Sequence, residues 1–335
     1  MRYSMAKLTK AVALTTLTLA GSLTMAADKW DMPMAYTDSN FHTQNGKSFA
    51  EAIEVATQGK LDVKVHGGGS LFKGSEIKRA VQTGQAQIGE RILSSHANED
   101  AVFGFDSVPF LATSFADSET LWKAARPHFE KLLDKHNLVL LYSVPWPPQG
   151  IYSKKPLNSI ADMEGVKFRS YSNATARLAE LAKAIPVQVE ASELSQALST
   201  GVAESFISSG ATGYDRKVWE QLTHHYVVNA WLPRNYIFVN KQAWNQLDEA
   251  TQNVVRGISL MAEKAGTARS EQLTGWYLEQ LASNGMTVTE AGPQLKADFE
   301  KIGATMTAEW LKDAGDVGQA IIDDYRAAQQ KLAHN

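Results

Sequence analysis

Residues 158–173 read N-S-I-A-D-M-E-G-V-K-F-R-S-Y-S-N. A short strand-like segment at 166–168 runs into Arg169, and Ser172 with Asn173 signals a helix start. The helix covers 175–184, with Ala176, Leu178, Ala179 and Leu181 toward the core. A strand P-V-Q-V at 186–189, a second helix capped by Ser192, and F-I-S-S-G at 206–210 complete the stretch. Arg169 thus stands at the carboxyl end of a strand and beside a helix N-terminus, where an open α/β sheet places its ligand crevice. A guanidinium suits that position because its planar fork donates two parallel hydrogen bonds to one carboxylate. On spacing alone a surface arginine in a turn is the competing reading.

Upstream, a first strand is expected over 30–36. A helix carries Phe49, Ala52, Ile53 and Ala56 at helical spacing, and the alternation at 61–66 reads as a half-buried strand. This β-α-β start implies a parallel sheet with a right-handed crossover. The glycine run at 66–74, H-G-G-G-S-L-F-K-G, lacks the P-loop Gly-Lys-Ser/Thr and the dinucleotide spacing. A helix over 76–83 and a strand over 86–89 lead to Glu90 and Arg91, again on the ligand edge. They either pair with each other as a solvated ion pair, or Arg91 is a second anion donor with Glu90 orienting it.

An amphipathic helix at 117–134 and a buried strand at 138–141 precede V-P-W-P-P-Q-G at 144–150. Three prolines stop both helix and central strand pairing, so the first crossing between domains is placed here. Trp146 is then either an interdomain wedge or a lid over ligand. Tyr214 and Trp219 are expected on a helix, facing the core. The strand-like run at 223–231 contains His224 and His225, whose side chains point to opposite faces and make a poor metal site. Trp231, near its end, is a ligand candidate, and 236–240 reads as a buried strand making the return crossing. From 248 to 284 no proline interrupts the helical spacing; Asp248 is the N-cap and Gly285 the stop. A helix of that length spans roughly 55 Å, more than one domain, with a kink expected near Gly266 or Gly275. A short strand at 286–288 and amphipathic helix to about residue 331 finish the chain.

At 335 residues two domains are the prior. A hydrophobic content of 44% and a charged content of 21% are those of a globular protein. A net charge of −3 without a basic tract argues against nucleic acid and anionic membrane surfaces as partners. Arg2, Lys7 and Lys10 precede an uncharged run at 11–20 and small residues through Ala26 and Ala27, the pattern of a signal peptide cut near Ala26. Its loss would take the charge from −3 to −6. With no cysteine there is no disulfide framework and no thiol nucleophile. Nor is there a G-x-S-x-G elbow, an H-E-x-x-H or a P-loop lysine, so an exported enzyme of unfamiliar type is the alternative class.

The run from Leu157 to Arg169, followed by S-E-L-S-Q-A-L-S-T-G-V-A-E at 192–204, resembles the second-domain signature of the extracytoplasmic solute receptors of TRAP (tripartite ATP-independent periplasmic) transporters. Gly59-Lys60-Leu61, Gly68-Gly69-Ser70-Leu71, Gln82-Thr83-Gly84 and Val108-Pro109-Phe110-Leu111 extend the resemblance through the first domain. It implies a two-domain, periplasmic-binding-protein-like α/β fold with a cleft between lobes and a long helix spanning both. It also implies that the glycine run is a tight connection. The expected boundaries are a signal peptide at 1–26, domain I at 27–146 with part of 240–290, and domain II at 147–238. The long helix takes 248–284, and a C-terminal strand and helices at 286–335 pack on the lobes.

The implied function is periplasmic binding of an organic acid and its delivery to TRAP membrane subunits for uptake driven by an ion gradient, with no cofactor, no metal and a monomeric receptor. The Arg169 signature and the spanning helix argue against an ABC-transporter receptor. Two departures from the family pattern bear on the ligand. Tyr152 stands where many relatives carry a second arginine, pointing to a single carboxylate with a neutral donor, or to Arg91 taking over the charge. Ser208 stands near the family's ligand-touching asparagine. The candidate ligand-binding set is Arg169, Arg91, Glu90, Trp146, Tyr152, Tyr171, Ser208, Ser209, Trp231 and Tyr236. Their aromatic walls favour an aromatic or 2-oxo monocarboxylate, with a C4-dicarboxylate or sugar acid as the alternative.

Overall fold

The computed structural model describes residues 27–333; the expected signal peptide lies outside the described residues. β1 (Asp28–Pro33), α1 (Phe41–Ala56) and β2 (Leu61–His66) form the β-α-β start, and the two strands pair in parallel with Trp30 opposite Val63. The first strand ends three residues earlier than its hydrophobic run, and the remainder, through Tyr36, continues as irregular chain. Asn40 caps α1 by accepting from the His42 N–H, which leaves Phe49 and Ile53 facing inward. α2 (Gly74–Gln82) and β3 (Ile88–Ile92) follow, then two 3-10 turns, α3 (Phe115–Lys135) and β4 (Leu138–Pro145).

The chain then enters a second layer through β5 (Gln149–Ser153), β6 (Lys167–Ser170), α4 (Asn173–Leu181) and β7 (Ile185–Gln188). α5 (Leu194–Ser199), β8 (Ser205–Ser209), α6 (Gly210–Asp215) and β9 (His224–Val227) continue it. Ser192 does not cap α5: it lies inside a 3-10 turn at Ala191–Glu193, and α5 starts without a side-chain cap. Trp219 likewise sits in a 3-10 turn, Val218–Glu220, while Tyr214 is on α6. His225 is buried against Tyr152, with ring centroids 4.3 Å apart, and His224 faces the other way beside Tyr226.

The return is made by β10 (Arg234–Asn240), α7 (Lys241–Gln246), α8 (Glu249–Ser283), β11 (Thr287–Glu290) and α9 (Pro293–Ala333). One lobe holds the β1-β2 pair and a sheet of order β3-β10-β4; the other holds a sheet of order β11-β9-β5-β8-β6-β7. The first crossing falls between β4 and β5, at the prolines. The second lies at 228–233, just ahead of the expected position, because all of 236–240 pairs inside the first lobe. The two crossing segments bond to each other: Trp146 N–H to Pro233 C=O at 2.7 Å, Gln149 N–H to Trp231 C=O at 3.0 Å, and Ala230 N–H to Gln149 C=O at 3.0 Å.

α8 has 35 residues, from an Asp248 cap that accepts from Thr251 N–H to a left-handed Gly285 at φ 95°. Its inward residues step by three or four, from Val255 and Ala262 to Leu273, Tyr277 and Leu281. The helix packs on α1 and β4 at one end and on α6 and β11 at the other, so it ties both lobes to one rod. At Gly266 it approaches β4 so closely that a Cβ would stand 2.6 Å from a Val144 methyl. α9 is broken at Gly315, whose backbone (φ 56°, ψ −142°) is not helical, and packs on both α3 and α4.

Candidate functional site

The crossings and the ends of β3 and β6 enclose a narrow cleft between the lobes, with about 30 Å³ of free space. Tyr36, Arg91, Ile92 and Trp146 line it from the first lobe. Gln149, Arg169, Tyr171, Glu190, Ala191, Ser208 and Thr212 line it from the second, with Pro233 at the crossing.

Arg169 lies within β6, and Ser172 caps α4 immediately after it. Its Nε donates to the Val189 carbonyl at 2.9 Å, and the guanidinium carbon stands 5.0 Å from the centre of the Tyr171 ring. The group is 2% exposed, and burial pushes its pKa down to about 10. Its two terminal nitrogens make no hydrogen bond to protein among the described residues, so the fork is held from behind with its donors uncommitted. The Tyr171 ring is itself clamped: its hydroxyl donates to Gln149 Oε1 and accepts from Trp231 Nε1, both at 3.2 Å. Trp231 is therefore a support behind the wall, fully buried and not part of the lining.

Arg91 reaches the cleft, but Glu90 does not. Neighbours on a strand face opposite ways, and Glu90 points into the first lobe, where Oε1 accepts from Asn235 Nδ2 at 2.8 Å and lies 3.5 Å from His42 Nδ1. The partner of Arg91 is Glu190, from beyond β7 in the other lobe, at 3.2 and 3.3 Å through both terminal nitrogens. Glu90 acts one layer back: Asn235, bonded to it, accepts through Oδ1 from Trp146 Nε1 at 2.7 Å. Trp146 is further packed against Tyr36 and His42, with ring centroids 4.8 and 4.3 Å away.

Ser208 lines the cleft, whereas Ser209 turns inward and caps α6 through Thr212 N–H. Tyr152 and Tyr236 are not in the cleft. Tyr152 stacks on Phe206 at 4.4 Å inside the second lobe and donates to the Ser209 carbonyl. Tyr236 stacks on Phe129 and donates to Asp106 Oδ2 at 2.7 Å inside the first. Central strands bury both faces, so an aromatic there finds its polar partner in the core. Tyr36, Gln149, Glu190 and Thr212 were missed. Tyr36 and Glu190 lie within three residues of a strand's carboxyl end, and a search of those positions alone would have found them.

The buried Glu90 carboxyl gives the molecule a pH dependence. Burial raises its pKa from 4.5 to about 7, against smaller opposing effects of the Asn235 bond and Arg91, and burial holds His42 well below its usual range. The folded protein thus binds a proton that the unfolded chain releases between about pH 4.5 and 7. Stability from this group falls as pH rises through that window. Glu90→Gln is expected to exceed the parent by up to about 3 kcal/mol at pH 8, and to match it at pH 4. Urea midpoints measured at both values check this; a difference independent of pH contradicts it.

Known proteins share this architecture. The model of the bacterial extracellular solute-binding protein family 7 matches residues 34–313. A marine metagenome TRAP solute-binding protein, solved with co-purified pyroglutamate, is 53% identical, with a TM-score of 0.89 over 90% of this chain and 100% of its own. DctP6, a pyroglutamic-acid-binding extracytoplasmic solute receptor of Bordetella pertussis, is 46% identical, with a TM-score of 0.88 and the same coverage. The C4-dicarboxylate-binding periplasmic protein DctP of Rhodobacter capsulatus is 27% identical across 80% of this chain and 79% of its own. Arg169 in its interlobe cleft, the long rod of α8 and a match covering most of the sequence agree: the chain belongs to the family 7 bacterial extracellular solute-binding proteins, the solute receptors of TRAP transporters.

Proposed function

We propose that this receptor binds pyroglutamate, the cyclic lactam of glutamate, as its carboxylate anion. The observation that carries the reading is the buried Arg169 fork, anchored through Nε and laid over the Tyr171 ring, with both terminal nitrogens free for one carboxylate. The neutral polar groups of Gln149, Ser208 and Thr212 line the same cleft and suit a lactam's N–H and C=O. Three solved relatives, at 53%, 46% and 43% identity, are receptors for pyroglutamate or pyroglutamic acid. The reading keeps the single carboxylate expected from the sequence and puts a flat lactam ring in place of an aromatic or 2-oxo body.

The chain works as a binding receptor and not as a catalyst: a monomer in the periplasm, exported by cleavage near Ala26, that hands its ligand to TRAP membrane subunits. Among the described residues no helix is long and apolar enough to cross a membrane. Titration with L-pyroglutamate, L-proline, L-glutamate and succinate tests the ligand. Pyroglutamate at 100 times its Kd is expected to stabilise the fold by about 2.7 kcal/mol, visible as a melting shift. A shift with succinate or glutamate and none with pyroglutamate rejects the proposal.

A further inference from the structure

Among the described residues two guanidinium groups reach the cleft, and one of them is free to receive a ligand's charge. Arg91 comes from β3 in the first lobe and is 4% exposed. Its terminal nitrogens are both taken by Glu190, which follows β7 in the second lobe. The pair is seated against the first residue of α2: a Cβ on Gly74 would stand 2.6 Å from Arg91 Nη1 and 3.1 Å from Glu190 Oε2. Of the charged groups lining the cleft, Arg91 and Glu190 cancel and Arg169 alone is left over. The hydroxyls of Tyr36 and Tyr171 are held neutral, since burial pushes both well above their usual range. Outside the lining, Asp215 and Arg216 oppose each other, as do Asp106 and Arg234.

We propose that Glu190 sets the charge class of acid this receptor accepts, cancelling Arg91 across the cleft so that monocarboxylates enter and dicarboxylates of the same length are rejected. The choice of probe rests on the pyroglutamate reading; the rule itself rests on the Arg91–Glu190 pair. A second carboxylate brought into the cleft meets an Arg91 whose two terminal nitrogens are already held by Glu190, with only the buried Nε unpartnered, and a like charge beside them. In a water-poor site that repulsion is weakly screened. Specificity here comes from a repulsive element as much as from the attractive one at Arg169.

Glutarate has the five-carbon skeleton of pyroglutamate with a second carboxylate in place of the lactam carbonyl. Calorimetric titrations with pyroglutamate, glutarate and succinate are to be run on the parent, Glu190→Gln, Arg91→Gln and the double variant. Glu190→Gln, which frees Arg91, is expected to gain dicarboxylate binding, raising the glutarate-to-pyroglutamate affinity ratio about tenfold or more. The double variant, again with one uncancelled positive charge, is expected to return to the parent's preference.

If Glu190 served only to hold the lobes together, its loss would weaken all three acids by one factor and leave their ratio unchanged. An unchanged ratio, with no dicarboxylate gained by Glu190→Gln, overturns the proposal. A parent that ignores pyroglutamate while Glu190→Gln gains glutarate or succinate sinks the ligand assignment and leaves the charge rule standing.

Discussion

Arg169→Ala is expected to lose ligand affinity by about 2–5 kcal/mol, the usual result of truncating one partner of a buried, hydrogen-bonded charge pair. That is roughly a thirty- to several-thousand-fold rise in Kd. The apo protein is expected to melt no lower than the parent. The substitution removes a buried cation with two uncommitted nitrogens, which offsets the lost bond to the Val189 carbonyl. Arg169→Lys keeps the charge and loses the fork, so it should recover only part of the affinity. Calorimetry for binding, and melting of the ligand-free protein for stability, separate the two effects. Unimpaired binding by Arg169→Ala would remove the central assignment.

Trp231→Ala is expected to destabilise the fold by about 3–5 kcal/mol, as truncating a fully buried tryptophan does. The residue belongs to the second-lobe core with Phe168, Leu178 and, from α9, Phe299 and Ile302. Its indole N–H also holds the Tyr171 hydroxyl. Trp231→Phe separates packing from that bond: most of the stability is retained, while Tyr171 loses one of its two anchors and ligand binding weakens. Chemical denaturation of both variants, with titration of Trp231→Phe, reads the two roles. A Phe variant with parental affinity would show that the bond to Tyr171 does not reach the ligand.

Much of the frame was legible because it depends on local rules. The β-α-β start followed from alternation and helical spacing, and β1 and β2 do pair in parallel. The limits of α8 were marked by a carboxylate that accepts from its third N–H and by a glycine in left-handed backbone. Three prolines near 145–148 marked where the chain leaves its first sheet. A strand running into a capped helix placed Arg169 at the crevice edge, but spacing alone also fitted a surface arginine, and it was the resemblance of the 157–169 run to the TRAP receptor signature that favoured the cleft.

Face selection within strands was not legible. Glu90 and Arg91, or Ser208 and Ser209, are equally polar neighbours, and period two guarantees only that they part. Which member meets the cleft depends on how β3 sits against β10, and β8 against β5 and β6. Tyr152 and Tyr236 looked like walls for the same reason. Their strands are central, and partners far along the chain, Ser209 and Asp106, satisfy their hydroxyls in the core.

The sequence by itself determined the alternation of strands and helices, the single long rod and the arginine at a strand's end. Each of these follows from torsional preference, side-chain period and capping within a few residues. Only the tertiary structure decided that Arg91 is matched by Glu190, 99 positions away. The same holds for Tyr171, gripped by Gln149 and Trp231 from the two crossings. Charge cancellation and hydrogen bonding act through space, and the distances that matter to them exist only once two lobes are brought together.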